Sequence, residues 1–390
     1  MSGNSRSKKI ISKLFSPIQE FIRDSRAVGI TLIICTVISL IVSNSAWSDG
    51  YIAFWDTEIH SPVSGLSIPH SFLHFINDAL MAVFFLLVGM EIKRELLDGE
   101  LSNFKKASLP VFAAIGGMVV PALLYFSLNA NTDSAHGWGI PMATDIAFAL
   151  GILSLLGKKA PLSLKILLAA LAIIDDLGAI IAIAIFYTDD LNWAYLAISG
   201  GIFLVLIVMN ILKVNRLYPY FIIGLILWYC MFNSGVHATL AGVMLALTLP
   251  LKRIPKLEHG LHDPVNFIIL PLFALANTAI VFPHELAATL ASPINHGILV
   301  GLIIGKPLGI TLFSFLMVKT GIAQLPKGLS WKHIIGMGLI AGIGFTMSIF
   351  ISMLAFNNEE AQTTAKLAVL IASTIAGIIG YVYLNRISRI

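Results

Sequence analysis

Hydrophobic positions in this chain come in long, nearly unbroken runs, not in the alternating or amphipathic stripes of a water-soluble fold. One helical crossing of a bilayer needs roughly 20 apolar residues. Twelve runs approach that length: 27–43, 72–91, 108–128, 140–156, 162–187, 194–212, 219–233, 235–251, 264–282, 296–318, 333–356 and 365–384. The pattern predicts an all-α polytopic membrane protein with 12 transmembrane helices. The pair at 219–233 and 235–251 is the shortest and most crowded. Two runs read poorly as continuous helices. Segment four, GIPMATDIAFALGI, places Pro141 and then Ala143-Thr144-Asp145, a good N-cap sequence, in mid-span. Segment eleven carries Gly336, Gly338, Gly342 and Gly344, followed by Thr346 and Ser348. Irregular backbone at membrane depth is tolerated where it lines a cavity or is buried in protein. Segments 3–5 and 10–12 therefore read as equivalent triplets, each with a broken middle member. Segment three starts inside and segment ten outside, so the triplets are inverted-topology repeats whose broken helices meet near the midplane. Glycines that merely let helices pack closely are the alternative.

Composition agrees with the pattern: 57% of the 390 residues are hydrophobic and 12% charged, against about 25% charged in a soluble domain. The net charge of +4 does not imply a nucleic-acid partner, because the basic residues follow the membrane topology. The connections 44–71, 129–139, 188–193, 234, 283–295 and 357–364 hold acidic residues but no Lys or Arg. All but two of the 25 Lys and Arg lie in or beside the other connections and the termini. The exceptions are Lys306, inside segment ten, and Lys366, at the outer mouth of segment twelve. By the positive-inside rule both termini are cytoplasmic. Residues 1–26 lack the compact apolar core and cleavage site of a signal peptide. Ile10, Ile11, Leu14, Phe15, Ile18, Phe21 and Ile22 recur at helical spacing, as in a helix lying on the membrane surface. Cys35 and Cys230 sit in apolar segments as small hydrophobes, with no disulfide framework and no metal-ligand spacing.

The candidate chemistry is concentrated in AALAIIDDLGAII, residues 169–181, where Asp175 and Asp176 stand in the middle of a span. A carboxylate at the centre of a membrane helix costs about 2.5–3.5 kcal/mol on insertion scales, and such residues mark ion and proton paths. Adjacent helical residues point about 100° apart. One aspartate therefore lines an aqueous path while the other meets a neighbour. A dehydrated sodium ion wants hard oxygen ligands, which deprotonated aspartate supplies, so sodium and protons compete for the same oxygens. If the site opens to one side of the membrane at a time, that competition becomes exchange. Lys306, before Pro307, is the matching cation inside a span. Its side chain either faces the bundle interior or snorkels to the interface.

Eight stretches carry a family resemblance: FINDALMAVFFLLVGMEIKREL (75–96), AAIGGMVVPALLY (113–125), IPMATDIAFALGI (140–152), LAIIDDLGAII (171–181), SGVHATLAG (234–242), ILPLFALANT (269–278), IGKPLGI (304–310) and GIGFTMSIFI (342–351). From about residue 20 to 385 the chain closely resembles the NhaA-type sodium/proton antiporters of bacterial inner membranes. The resemblance implies that Asp176 is the principal sodium ligand and Asp175 its partner in ion binding and proton exchange. It pairs Lys306 with Asp175 near the negative ends of the broken half-helices. Asp145 would meet their positive N-termini, and Thr144 would add an oxygen ligand. Asp78 belongs near an outward funnel by analogy, or else hydrogen-bonds a neighbouring helix. Glu91, Arg94, Glu95, Glu258, His259 and His262 match cytoplasmic-side positions through which the family is shut down at acidic pH, and histidine titrates in that window. His237 matches a position linked to pH response, with simple hydrogen bonding as the alternative. The expected division is one domain over 1–390, with a cytoplasmic segment 1–26, core repeats at 108–187 and 296–384, and the remaining helices at an interface. The resemblance implies a homodimer, formed through the first outer loop with Tyr51, Phe54 and Trp55 before Gly65. It implies Na+ or Li+ and H+ as transported ions, and no cofactor.

Three functions compete at this level. Antiport, electrogenic and active at alkaline pH, takes cytoplasmic sodium out against external protons and uses the aspartates, the broken helices and Lys306. A sodium-coupled symporter of an organic solute would need polar substrate-binding side chains beyond the ion site, and few are present. An intramembrane aspartyl protease would carry Gly-x-Gly-Asp on one helix, and that tetrad does not occur.

Overall fold

The computed structural model describes residues 26–60, 70–188, 191–283 and 285–387. Among them the chain is helical throughout, apart from turns and one antiparallel bridge between Glu58 and Ser71. The helices are α1 (Arg26–Ser43), α2 (Phe72–Asp98), α3 (Phe104–Asn129), α4 (Ile146–Leu155), α5 (Leu162–Phe186), α6 (Trp193–Ile211) and α7 (Tyr218–Phe232). They continue with α8 (Leu240–Thr248), α9 (Ile254–Pro264), α10 (Leu270–Asn277), α11 (Pro293–Lys319), α12 (Trp331–Ala341), α13 (Phe345–Ala355) and α14 (Glu359–Ile387).

Seven of these are long and apolar enough to cross a membrane, or nine spans when each of two bent pairs counts as one. Both predicted breaks are present. A 3-10 helix over Asp133–Met142 meets α4 at 46°, and α12 meets α13 at 49°. Segment four differs from expectation at its start. Its helical turns begin at Asp133 instead of 140, because Thr132 caps them through the Ser134 N–H. The runs at 219–233, 235–251 and 264–282 form helices shorter than a full span. A turn through Ser234 and Gly235 (φ 82°) delays α8 to Leu240, and Pro250 follows its end. A π turn over Val265–Ile269 joins α9 to α10.

Tyr51, Phe54 and Trp55 lie on a short helix, Ser48–Trp55, that precedes the bridge. The loop tip with Gly65 and the surface helix expected over 10–23 lie outside the described residues. Lys366 sits within α14, past its first turns.

Close helix packing positions the site. A Cβ on Gly309 of α11 would stand 2.0 Å from the Gly116 carbonyl oxygen of α3, and one on Gly116 would stand 2.3 Å from the Gly309 oxygen. Backbone therefore meets backbone at this crossing, one turn from Lys306. A π turn, Gly301–Gly305, immediately precedes that lysine and rotates it relative to the preceding helix, a local device common at functional sites.

Candidate functional site

Asp175 and Asp176 stand in the middle of α5, where an uninterrupted apolar helix carries them into the protein interior. The two bent spans cross in front of them, so both breaks lie at one place. At the crossing the Asp145 N–H donates to the Ile343 carbonyl (2.7 Å), linking one break to the other.

Lys306 is wholly buried and all three of its protons are used. Its Nζ donates to Asp175 Oδ2 (2.6 Å), Thr144 Oγ1 (2.5 Å) and the Met142 carbonyl (2.8 Å). Snorkelling is thereby excluded. Thr144 has one hydroxyl proton and two acceptors in reach, Asp175 Oδ2 at 2.6 Å and the Ala341 carbonyl at 3.1 Å. Met142 and Ala341 are the last residues of the two half-helices before their breaks, so the cation lies at their negative ends. Asp145 lies at the opposite, positive ends. Its Oδ1 accepts from Phe148 N–H and caps α4, while Oδ2 accepts from both the N–H (3.1 Å) and the hydroxyl (2.5 Å) of Thr346 at the start of α13. One carboxylate thus satisfies two helix N-termini that the breaks would otherwise leave bare.

The sequence places two adjacent acids here, and the fold gives them different surroundings. Asp175 meets Lys306 and Thr144 through Oδ2, while its Oδ1 is buried without a hydrogen-bond partner. Asp176, 2% exposed, makes no hydrogen bond or ion pair among the described residues, and its Oδ1 is likewise buried and unpartnered. Buried polar atoms are almost always hydrogen-bonded. Two free carboxylate oxygens on neighbouring residues are acceptors that only a proton, a cation or water can satisfy.

A second group of charges joins α2 to α9. Arg94 Nε donates to Glu258 Oε2 (2.9 Å), Arg94 Nη1 pairs with Glu95 Oε1 (2.9 Å), and His262 Nε2 lies 3.3 Å from Glu91 Oε1. Burial pushes Glu258 up to about 7, with the Glu91 charge adding to it against the opposing Arg94. Burial alone would lower His262, but its bond to Glu91 and the charges of Glu91, Glu258 and Asp263 outweigh that and raise it. His259 is exposed and joins none of these pairs among the described residues. His237 Nε2 lies 2.5 Å from the Tyr187 carbonyl. Asp78 sits in a π turn of α2, Ile76–Leu80, where its backbone carbonyl accepts from Trp228 Nε1 (2.9 Å). Its carboxyl group makes no hydrogen bond or ion pair among the described residues, and it stands apart from the Asp175–Lys306 cluster.

Several polar residues went unselected by the sequence. Buried Lys93 donates to the Leu247 and Leu249 carbonyls at the end of α8. Asn77 and Asn277 exchange amide hydrogen bonds between α2 and α10. Both asparagines interrupt apolar runs, which was the available signal. Tyr187 binds backbone of the first bent span and carries no such signal.

The chain is similar to a protein of Flavobacterium johnsoniae named Na+/H+ antiporter NhaA 1, at 52% identity over 96% of this chain and 98% of the relative. It is 51% identical to the Na+/H+ antiporter NhaA of Dechloromonas aromatica, over 96% of each chain. With the Na+/H+ antiporter NhaA of Helicobacter pylori it shares 45% identity over 98% of each. The profile of the Na+/H+ antiporter 1 family matches residues 19–384, and the chain belongs to that family.

Proposed function

We propose that this protein is a secondary transporter that exchanges sodium or lithium for protons, and not an enzyme. The observation that carries the reading is the pair of buried, unpartnered oxygens on Asp175 and Asp176, at the crossing of two bent helices and beside a saturated lysine. Family membership and the names of the relatives support the same activity.

Asp176 is the principal ligand, because among the described residues no donor competes for its carboxylate. Asp175 joins it by releasing Lys306, and Thr144 adds a hydroxyl oxygen. Asp145 holds the two half-helix N-termini together and so fixes the backbone on which Thr144 sits. With protons bound, the site is neutral toward sodium. When they leave, the carboxylates take up the ion, and a change of access delivers it to the other face. If Asp175 or Lys306 releases a proton along with Asp176, two protons move per sodium and transport is electrogenic. An exchange rate insensitive to membrane potential would rule that out.

The membrane arrangement belongs to the same proposal. The bent pairs supply two spans, the seven long helices seven more, and the shorter helices α7, α8 and α10 the remaining three, giving twelve crossings with triplets 3–5 and 10–12 inverted. Charge asymmetry puts both termini in the cytoplasm of a bacterial inner membrane. The α2–α9 charge cluster then lies on the cytoplasmic side, where it governs activation at alkaline pH. The first outer loop joins two copies into a homodimer.

The test uses everted membrane vesicles from cells lacking other sodium/proton exchangers. An acid interior is established, sodium is added, and recovery of a pH-sensitive dye is followed between about pH 6 and 9. Sodium-dependent proton efflux that disappears in Asp176→Asn is the expected result. Absence of any sodium response from inserted protein would overturn the assignment.

A further inference from the structure

The first half of the first bent span is a 3-10 helix, whose internal hydrogen bonds are poorer than those of an α-helix. Side chains from four other helices or their ends bond its backbone instead. Tyr125 of α3 donates to the Ser134 carbonyl (2.8 Å), Ser348 of α13 to Ile140 (2.7 Å) and Lys306 of α11 to Met142 (2.8 Å). The fourth is Tyr187, the residue that ends α5, and it makes two bonds. Its hydroxyl accepts from the Gly139 N–H (2.9 Å) and donates to the His136 carbonyl (2.8 Å).

The contact is built for this hydroxyl. A Cβ on Gly139 would stand 2.5 Å from the Tyr187 oxygen, so glycine is what admits it. Trp138 stacks on the Tyr187 ring with centroids 6.0 Å apart, and the Tyr187 carbonyl is held by His237. Tyr187 lies eleven residues beyond Asp176 on the same helix, about three turns away, and touches no carboxylate. It does tie the helix that carries Asp175 and Asp176 to the segment that runs directly into Thr144 and Asp145.

We infer that Tyr187 is a positioning residue for exchange: its hydroxyl sets the register between α5 and the first half of the bent span, and so the spacing of the ion-ligating oxygens. The inference rests on the antiport reading. A proton needs one oxygen, whereas a dehydrated sodium ion needs several at a common distance. Loosening the register therefore weakens sodium capture more than proton release. Tyr187→Phe keeps the ring and removes both hydroxyl bonds. Gly139→Ala keeps the hydroxyl and displaces it.

The experiment measures sodium-dependent dequenching in everted vesicles for the native chain, both single variants and the double variant, with each membrane level determined by blotting. Each single variant is expected to raise the KM for sodium about 3- to 10-fold with maximal rate within about twofold. The double variant should lie near Tyr187→Phe, since the hydroxyl is gone and the methyl group meets only the ring edge, at 3.1–3.2 Å. An unchanged KM in either inserted single variant overturns the inference, as does a double variant whose fold-changes multiply. The single variants are read independently, so if one fails to insert the other decides. A native chain without exchange would instead overturn the antiport reading.

Discussion

At the scale of single residues, the same acid type does three different jobs in this protein. Asp145 accepts from the starts of two helices, Asp175 from a lysine and a threonine, and Asp176 from no donor among the described residues. Chemistry is identical in the three, so the surroundings decide the role. The α2–α9 cluster shows the same dependence and supports a pH prediction. Glu258, raised to about 7, and His262, also raised, both hold protons more tightly in the packed protein than when free. Their stabilisation of the α2–α9 contact is thus present at acidic pH and lost as pH rises through about 7. The groups facing them are Glu91, Arg94 and Glu95 from α2, with Asp263 on α9 itself. Amide protection across α9, corrected for the base-catalysed rise of the intrinsic exchange rate, is expected to be lower at pH 8.5 than at pH 6, and the difference should shrink in His262→Gln. Equal protection factors at the two pH values would show that these protons do not hold the contact.

At the scale of elements, the position of Lys306 depends on how closely α3 and α11 approach. Gly309 and Gly116 leave no room for a side chain at their crossing. Gly309→Ala must push two backbones apart, at a cost of about 1–3 kcal/mol. It should lower the melting temperature in detergent and reduce exchange, because the separation is felt one turn away at Lys306. Gly201 is the matched control: it lies on α6, exposed, with open space where its Cβ would go. Gly201→Ala should leave stability unchanged or raise it by up to about 1 kcal/mol, since alanine favours helix. If both substitutions proved equally silent, close packing would not be what fixes the lysine.

At the scale of the whole molecule, a single asymmetry of charge predicts how the crossings are oriented. Lys and Arg avoid alternate connections. A green fluorescent protein fused after the last residue is accordingly expected to fluoresce, and alkaline phosphatase fused within 188–193 to be active. Phosphatase activity from the C-terminal fusion would reverse the orientation. The same scale explains why α6 is left almost bare along its length. It stands at the periphery, away from the crossing, and its apolar side chains suit lipid.

The sequence by itself determined the helical class, the family and the two breaks, and it singled out the candidate acids. These features are local: a bilayer demands long apolar runs, a mid-span Thr-Asp after proline interrupts them, and a buried charge is expensive enough to stand out against its neighbours. Helix starts and lengths were less legible. The 3-10 turns from Asp133 and the short α8 and α10 depend on caps, turns and neighbours that hydrophobicity does not encode. Only the tertiary structure decided how the charges are shared. It separated His259 from His262, gave Lys306 to Asp175 while leaving Asp176 free, and brought Tyr187 to Gly139. The reason is geometric. A hydrogen bond is made or lost within a few tenths of an ångström, and residues on different helices reach that precision only once the helices have packed.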